Sequence, residues 1–189
     1  MPYGIGLTLD EGTHARVRLL WRMFEEAGVG KPPGQLGLPP HVTFSLFASG
    51  EPDVLISLVK ALSVADPSLK LVPFGAFLGE KDTLYLHAVL SPDLVQAHAR
   101  HVALARAEGL SCDRLYTPGN IVFHRTLAVE IEESAFLTGV EICRSHPEIL
   151  EGRAETVELF EFFPSKRIWA GGISAGASGN HGEQGGETL

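Results

Sequence analysis

Apolar residues recur along the chain with two different periods, and the changes between them mark out the elements. "YGIGLTL" alternates and predicts a strand; "DEGTHARVRLLWRMFEEAGVG" then places Leu20, Met23, Phe24 and Ala27 on one face of a helix that Asp10 caps and glycine ends. "KPPGQLGLPP" cannot continue that helix, and it delivers the chain extended into "HVTFSLF", a second strand. "EPDVLISLVKAL" predicts a short helix, and "LKLVPFGAFLGEKDTLYLHAVL" two strands around a Gly-Glu-Lys-Asp turn. Ser91 caps the next helix, which has Pro92 at its first position and runs to about Gly109. After the loop "SCDRLYTPGN" comes the strand "IVFHRTLAVEI", then a helix from about Glu132 to His146. A closing hairpin of "RAETVELFEF" and "KRIWAGGIS" turns at Phe163, Pro164 and Ser165. From Ser174 onward the chain is Gly-rich and almost without apolar side chains, so residues 174–189 are expected as a disordered tail behind a single domain, 1–173. Frequent hairpins among alternating strands and helices predict an α+β fold with mostly antiparallel sheets.

Two of the predicted strands carry the same small pattern. "PHVTFSLF" and "FHRTLAVE" each set His-x-Thr in an apolar run after a proline-containing loop, and the second histidine follows the first by 83 positions. Residues two apart on a strand share a face, so His41, Thr43 and Ser45 point one way and Val42, Phe44 and Leu46 the other. In the second copy His124, Thr126 and Ala128 oppose Phe123, Arg125, Leu127 and Val129. The greasy face requires a core, which directs the His/Thr face into a cleft or solvent. The shared order and setting point to an internal duplication.

Composition narrows what such a pair could serve. With 189 residues, 44% hydrophobic and 20% charged, the chain is of ordinary globular composition. No apolar stretch approaches the ~20 residues of a membrane span, and "MPYGIGLTLD" has neither a basic leader nor a long apolar segment, so a cytoplasmic protein with no membrane partner is expected. A net charge of −8 opposes the long, salt-sensitive contact with many phosphates that holds long nucleic acid, while leaving room for a small anionic ligand. Cys112 and Cys143 lack metal-type spacing and read as ordinary reduced thiols.

The duplicated motif resembles that of the 2H phosphoesterase superfamily, which is named for two H-x-T/S motifs and includes the 2′-5′ RNA ligase-like proteins and cyclic nucleotide phosphodiesterases. His41, Thr43, His124 and Thr126 match residue for residue, and the resemblance runs over residues 1 to about 173. It implies a bilobal, LigT-like α+β fold: two antiparallel sheets with helices packed outside, pseudo-twofold, the motif strands facing each other across a central cleft. It also implies a metal-independent, cofactor-free hydrolase acting on 2′,3′-cyclic phosphate ends of nucleotides or short RNA, with one histidine as general acid and the other as general base, and a monomer. Family usage makes His41 the acid and His124 the base. The threonine hydroxyls then hydrogen-bond the non-bridging oxygens. A 2′-5′ RNA ligase-type activity, or a nucleotide- or RNA-end-binding protein with little catalysis, are the alternatives.

Two departures stand out. Arg125 occupies the position between His and Thr where many relatives are apolar, and is expected to snorkel to the rim. Val129 and Glu130 stand where many ligase-like relatives have a basic residue, as in "TLAR". For base stacking Tyr116, Phe47 and Tyr3 are candidates, with Tyr116 assigned to substrate binding. His98 and His101, a helical turn apart, read as packed core histidines before a metal pair, so no metal site is expected. His87 is a candidate cleft or structural residue, His14 and His146 look like surface positions, and Lys166 and Arg167 could meet a phosphate from the last hairpin.

Overall fold

A computed structural model describes residues 2–162 and 165–175. The period-two runs are strands and the longer amphipathic runs helices: β1 (Tyr3–Leu9), α1 (Glu11–Glu26), β2 (His41–Phe47), α2 (Pro52–Lys60), β3 (Ser63–Val64), β4 (Ser68–Phe77), β5 (Asp82–Leu90), α3 (Pro92–Ala107), β6 (His124–Ile131), α4 (Glu133–Arg144), β7 (Leu150–Glu161), β8 (Lys166–Gly172) and β9 (Ser174–Ala175). Single 3₁₀ turns at Pro33–Leu36 and Arg114–Tyr116 lie in the two loops that precede the His-x-Thr strands. The caps read from the sequence are formed. Asp10 Oδ1 accepts the Thr13 N–H at 2.9 Å while its Oδ2 accepts the Arg153 N–H at 2.9 Å, tying the start of α1 to β7. Ser91 Oγ accepts the Leu94 N–H at 3.2 Å and so begins α3.

The fold is α+β with antiparallel pairing throughout its main sheet, whose order is β2-β1-β7-β4-β5-β6 with β8 also on β7. The two sheets expected from the sequence share one strand. Leu150–Arg153 of β7 pair with β4, and from Ala154 onward β7 pairs with β1 and, from Thr156, with β8. The sheet closes on itself enough that β2 and β6, at opposite ends of this path, approach within 8 Å between Cα atoms. Beneath it, Ile5, Leu7, Phe24, Phe44, Leu84 and Leu127 belong to one continuous core and are fully buried, each such side chain contributing about 1.5–3 kcal/mol by leaving water. The expected tail is corrected at its first two positions: Ser174 and Ala175 pair in parallel with β3. Residues 176–189, and Phe163 and Pro164 of the closing turn, lie outside the described residues. Among the described residues no helix is long and apolar enough to cross a membrane.

Candidate active site

Where β2 and β6 meet, a cleft of about 300 Å³ opens, and His41, Thr43, Tyr116, His124, Arg125 and Thr126 stand on its walls. That volume is at the lower end of the range of small-molecule pockets. The proline and leucine residues of the loop before β2, Pro33, Leu36, Leu38 and Pro39, form an apolar side.

Both motif imidazoles are held in the same way. His41 Nδ1 lies 2.9 Å from the Pro39 carbonyl oxygen, and His124 Nδ1 lies 2.7 Å from that of Val122. A carbonyl can only accept, so in both rings Nδ1 carries the proton, and Nε2 is left as the atom that gains or loses one. Gly6, facing Thr43 across the β1–β2 ladder, makes room for the first ring: a Cβ there would sit 3.0–3.2 Å from His41 atoms. The second ring packs against Phe77 and Tyr85, with centroids 5.0 and 5.1 Å away.

The strict alternation expected beyond each threonine does not hold, and the exception is itself duplicated. On β2 the register passes from Gly6↔Thr43 to Ile5↔Ser45, leaving Phe44 as an extra residue; on β6 it passes from Tyr85↔Thr126 to Leu84↔Ala128, leaving Leu127. A bulge after each threonine exchanges the faces. Ser45 therefore turns inward, fully buried and hydrogen-bonded to His101 Nε2 at 2.9 Å, and Ala128 is fully buried too. Leu46 and Val129, each five residues after its histidine, enter the cleft wall instead.

Arg125 departs from its expected place at the rim. It is 1% exposed, its guanidinium lies 5.4 Å above the Trp21 ring, and its Nε and Nη2 are buried without a hydrogen-bond partner. No ion pair among the described residues includes it. A cation over an indole gains about 0.5–2 kcal/mol, less than the several kcal/mol that burying an unpaired ion costs; burial accordingly pushes the guanidinium's pKa down. Its charge reaches the neighbouring histidines. His41 is pushed down to about 4, first by burial and then by Arg125, with His124 adding a smaller part. His124 is lowered by burial, with His87 and Arg125 contributing, while the Val122 carbonyl opposes the shift. His14 is lowered by burial and by Arg125 as well; far from being a surface residue it is 7% exposed, and its Nε2 accepts the Leu9 N–H at 3.2 Å.

Of the other residues singled out in the sequence, Tyr116 lines the cleft, and burial raises the pKa of its hydroxyl. Phe47 does not: it is fully buried in the core beside His101. Tyr3 is half-buried against that core. His98 and His101 are 1% and 2% exposed, bonded to the Tyr116 carbonyl and Ser45 Oγ, so they are packed histidines. Among the described residues no group of three His, Cys, Asp or Glu could hold a metal ion. His87 stands opposite His124 in the β5–β6 ladder. Lys166 and Arg167 border a separate recess with Pro39 and Phe160, Arg167 lying 3.7 Å from Glu158. Trp21 and Phe162 line the cleft without having been anticipated. Trp21 had one legible signal, an indole N–H on an apolar helix face that must find an acceptor; it donates to the Thr126 carbonyl at 3.0 Å and so fixes the motif backbone.

No family model matches the sequence, and no curated protein matches it either. Solved structures do match. The Thermus thermophilus protein TT0787 aligns at a TM-score of 0.65 and 16% identity over 94% of this chain and 100% of that one. Escherichia coli LigT in complex with 3′-AMP aligns at 0.55 and 14% identity over 90% and 96%. LigT with NADP⁺ aligns at 0.57 and 13% over 91% and 96%. At these identities the likeness establishes architecture: the chain has the LigT-like fold of the 2H phosphoesterases. LigT is seen in those structures with 3′-AMP and with NADP⁺ bound.

Proposed function

We propose that this chain is a 2H phosphoesterase that hydrolyses 2′,3′-cyclic phosphates of nucleotides or short RNA, with no cofactor and with His41 and His124 exchanging protons at the two ends of one displacement. The observation that carries the reading is the pair of imidazoles in one small cleft, each fixed through Nδ1 and each followed by a threonine. One imidazole takes a proton from water as its oxygen bonds to phosphorus; the P–O3′ bond breaks, and the other imidazole returns a proton to O3′, leaving a 2′-phosphate. Thr43 and Thr126 donate to the non-bridging oxygens, and Tyr116 flanks the base. In the free site burial and Arg125 hold His41 neutral, which suits a base; the acid role that family usage gives it requires bound phosphate to restore its proton. LigT's complexes with 3′-AMP and NADP⁺ make a nucleotide the reasonable ligand. The small cleft and the net charge of −8 favour hydrolysis of a short end over joining two polyanions.

The test is incubation of purified protein with 2′,3′-cyclic mononucleotides, cyclic-ended short RNA and 2′-5′-linked RNA, each with and without EDTA. Release of a 2′-phosphate unaffected by chelator is the expected result. Turnover only with added divalent ion, or no turnover of any cyclic phosphate, would remove the reading.

A further inference from the structure

Arg125 is a buried cation on the wall of a cleft, and among the described residues no anion pairs with it. Its guanidinium lies over the face of Trp21, its charge lowers the pKa of His14, His41 and His124, and no described ion pair gives it a carboxylate. The two nitrogens that lack acceptors, Nε and Nη2, are closed to solvent in the free protein and form one edge of the guanidinium, the edge whose parallel N–H bonds fit two oxygens of a single phosphate. Its backbone is also held firmly. Trp21 stacks on it and bonds the backbone of the next residue, and β6 pairs Arg125 with Leu86. Meanwhile Val129, on the same strand and in the same cleft, contributes only an apolar surface.

We propose that Arg125 is the anion anchor of this cleft: on a shift of its side chain toward the cleft it lines, its unpartnered N–H edge takes a phosphate group of the ligand, directly or through one water carried in with it, and so selects ligands with a phosphate at the His41/His124 end. The charge that no described side chain balances in the free protein is balanced by the ligand. Arg125 thereby serves affinity and placement of the phosphate, while the imidazoles serve proton transfer. This deepens the phosphoesterase reading, because it takes the same cleft to be the ligand site, but its test is one of binding.

The experiment compares wild type, Arg125→Met and Arg125→Lys by calorimetric titration and thermal melting with inorganic phosphate, 2′-AMP and adenosine. Wild type should bind phosphate and 2′-AMP and melt higher in their presence. Arg125→Met should lose tenfold or more of both affinities and the anion-dependent rise in Tm, while binding adenosine as wild type does. Without anion its Tm should equal or exceed that of wild type, because an uncompensated buried charge has been replaced by an apolar chain of similar length. Arg125→Lys should recover part of the affinity, a point charge lacking the fork. A methionine variant that binds phosphate and 2′-AMP within twofold of wild type overturns the proposal, as does a wild type that binds neither. Should the variant fail to fold, the ¹⁵N–¹H resonance of Arg125 Nε in wild type decides: it must shift with phosphate and not with adenosine, and an unmoved signal at saturation overturns the proposal. Phosphate binding through Arg125 without turnover of any cyclic phosphate keeps this inference and removes the proposed activity. Turnover with phosphate affinity unchanged in Arg125→Met does the reverse.

Discussion

Each motif imidazole is held at Nδ1 by a backbone carbonyl and lines the cleft, which leaves Nε2 as the nitrogen that can exchange a proton. Replacing either histidine by alanine should lower turnover by roughly 10²–10⁴-fold with little change in product affinity. Removing both should cost far less than the product of the two, since they act on one displacement; steady-state rates with calorimetric product binding check this. Equal effects on rate and affinity would instead mean the rings are binding contacts. The direction of the pKa shifts fixes the pH behaviour. An acid is lost as pH rises through its pKa and a base as pH falls through its own, and both imidazoles lie below the usual 6.5 in the free protein. The bell of kcat/KM, which reports the free protein and belongs to the pair, should therefore peak on the acid side of 6.5. Stability follows the same sign. His41 and His101, pushed to about 4, are folded as neutral rings and must charge in acid. Their contribution is fully present above pH 6.5 and is lost as pH falls toward 4. Urea unfolding at pH 7.5, 6 and 5 should show a decline that His41→Ala makes shallower.

At the level of single elements, the duplicated bulge decides what lines the cleft, and Gly6 decides whether the first ring can lie there. Gly6→Ala places a methyl against His41 and should reduce turnover about tenfold to a hundredfold by displacing the imidazole, with cooperative melting retained. Wild-type kcat in that variant would mean the ring tolerates another position. The elements themselves were largely legible: period, caps and punctuation mark every helix and every long strand, because these are local properties of the chain. The repeated motif, and an aromatic just before its second copy, single out His41, Thr43, His124, Thr126 and Tyr116, and all five line the one cleft. Ser45 and Ala128 were misdirected because alternation presumes an unbroken ladder, whereas a bulge is a feature of two strands and depends on where the partner, β1 or β5, sets its register. The expectation that Arg125 reaches the rim fails on equally physical grounds. A long charged side chain ordinarily reaches water, and only the packing of α1 over β6, with Trp21 above the guanidinium, closes that route.

For the molecule as a whole, the strand path places its two motif strands at opposite ends and brings those ends together. Exposed sheet edges invite pairing with other chains; here loops and a cleft occupy the space between them. β7 is the strand that makes this geometry, because β1 and β2 join β4, β5 and β6 only through it. It follows both motifs in the chain, so while the protein is being synthesised two separate strand groups await the one that unites them. Such long-range closure is slow relative to local structure and leaves strand edges open in the interval. A nascent chain halted at residue 149 would already hold both His-x-Thr motifs yet lack the cleft. Arrested on the ribosome at that length, the chain should be readily cut by protease and bind no phosphate, and protection should appear only once residues through 161 have cleared the exit tunnel.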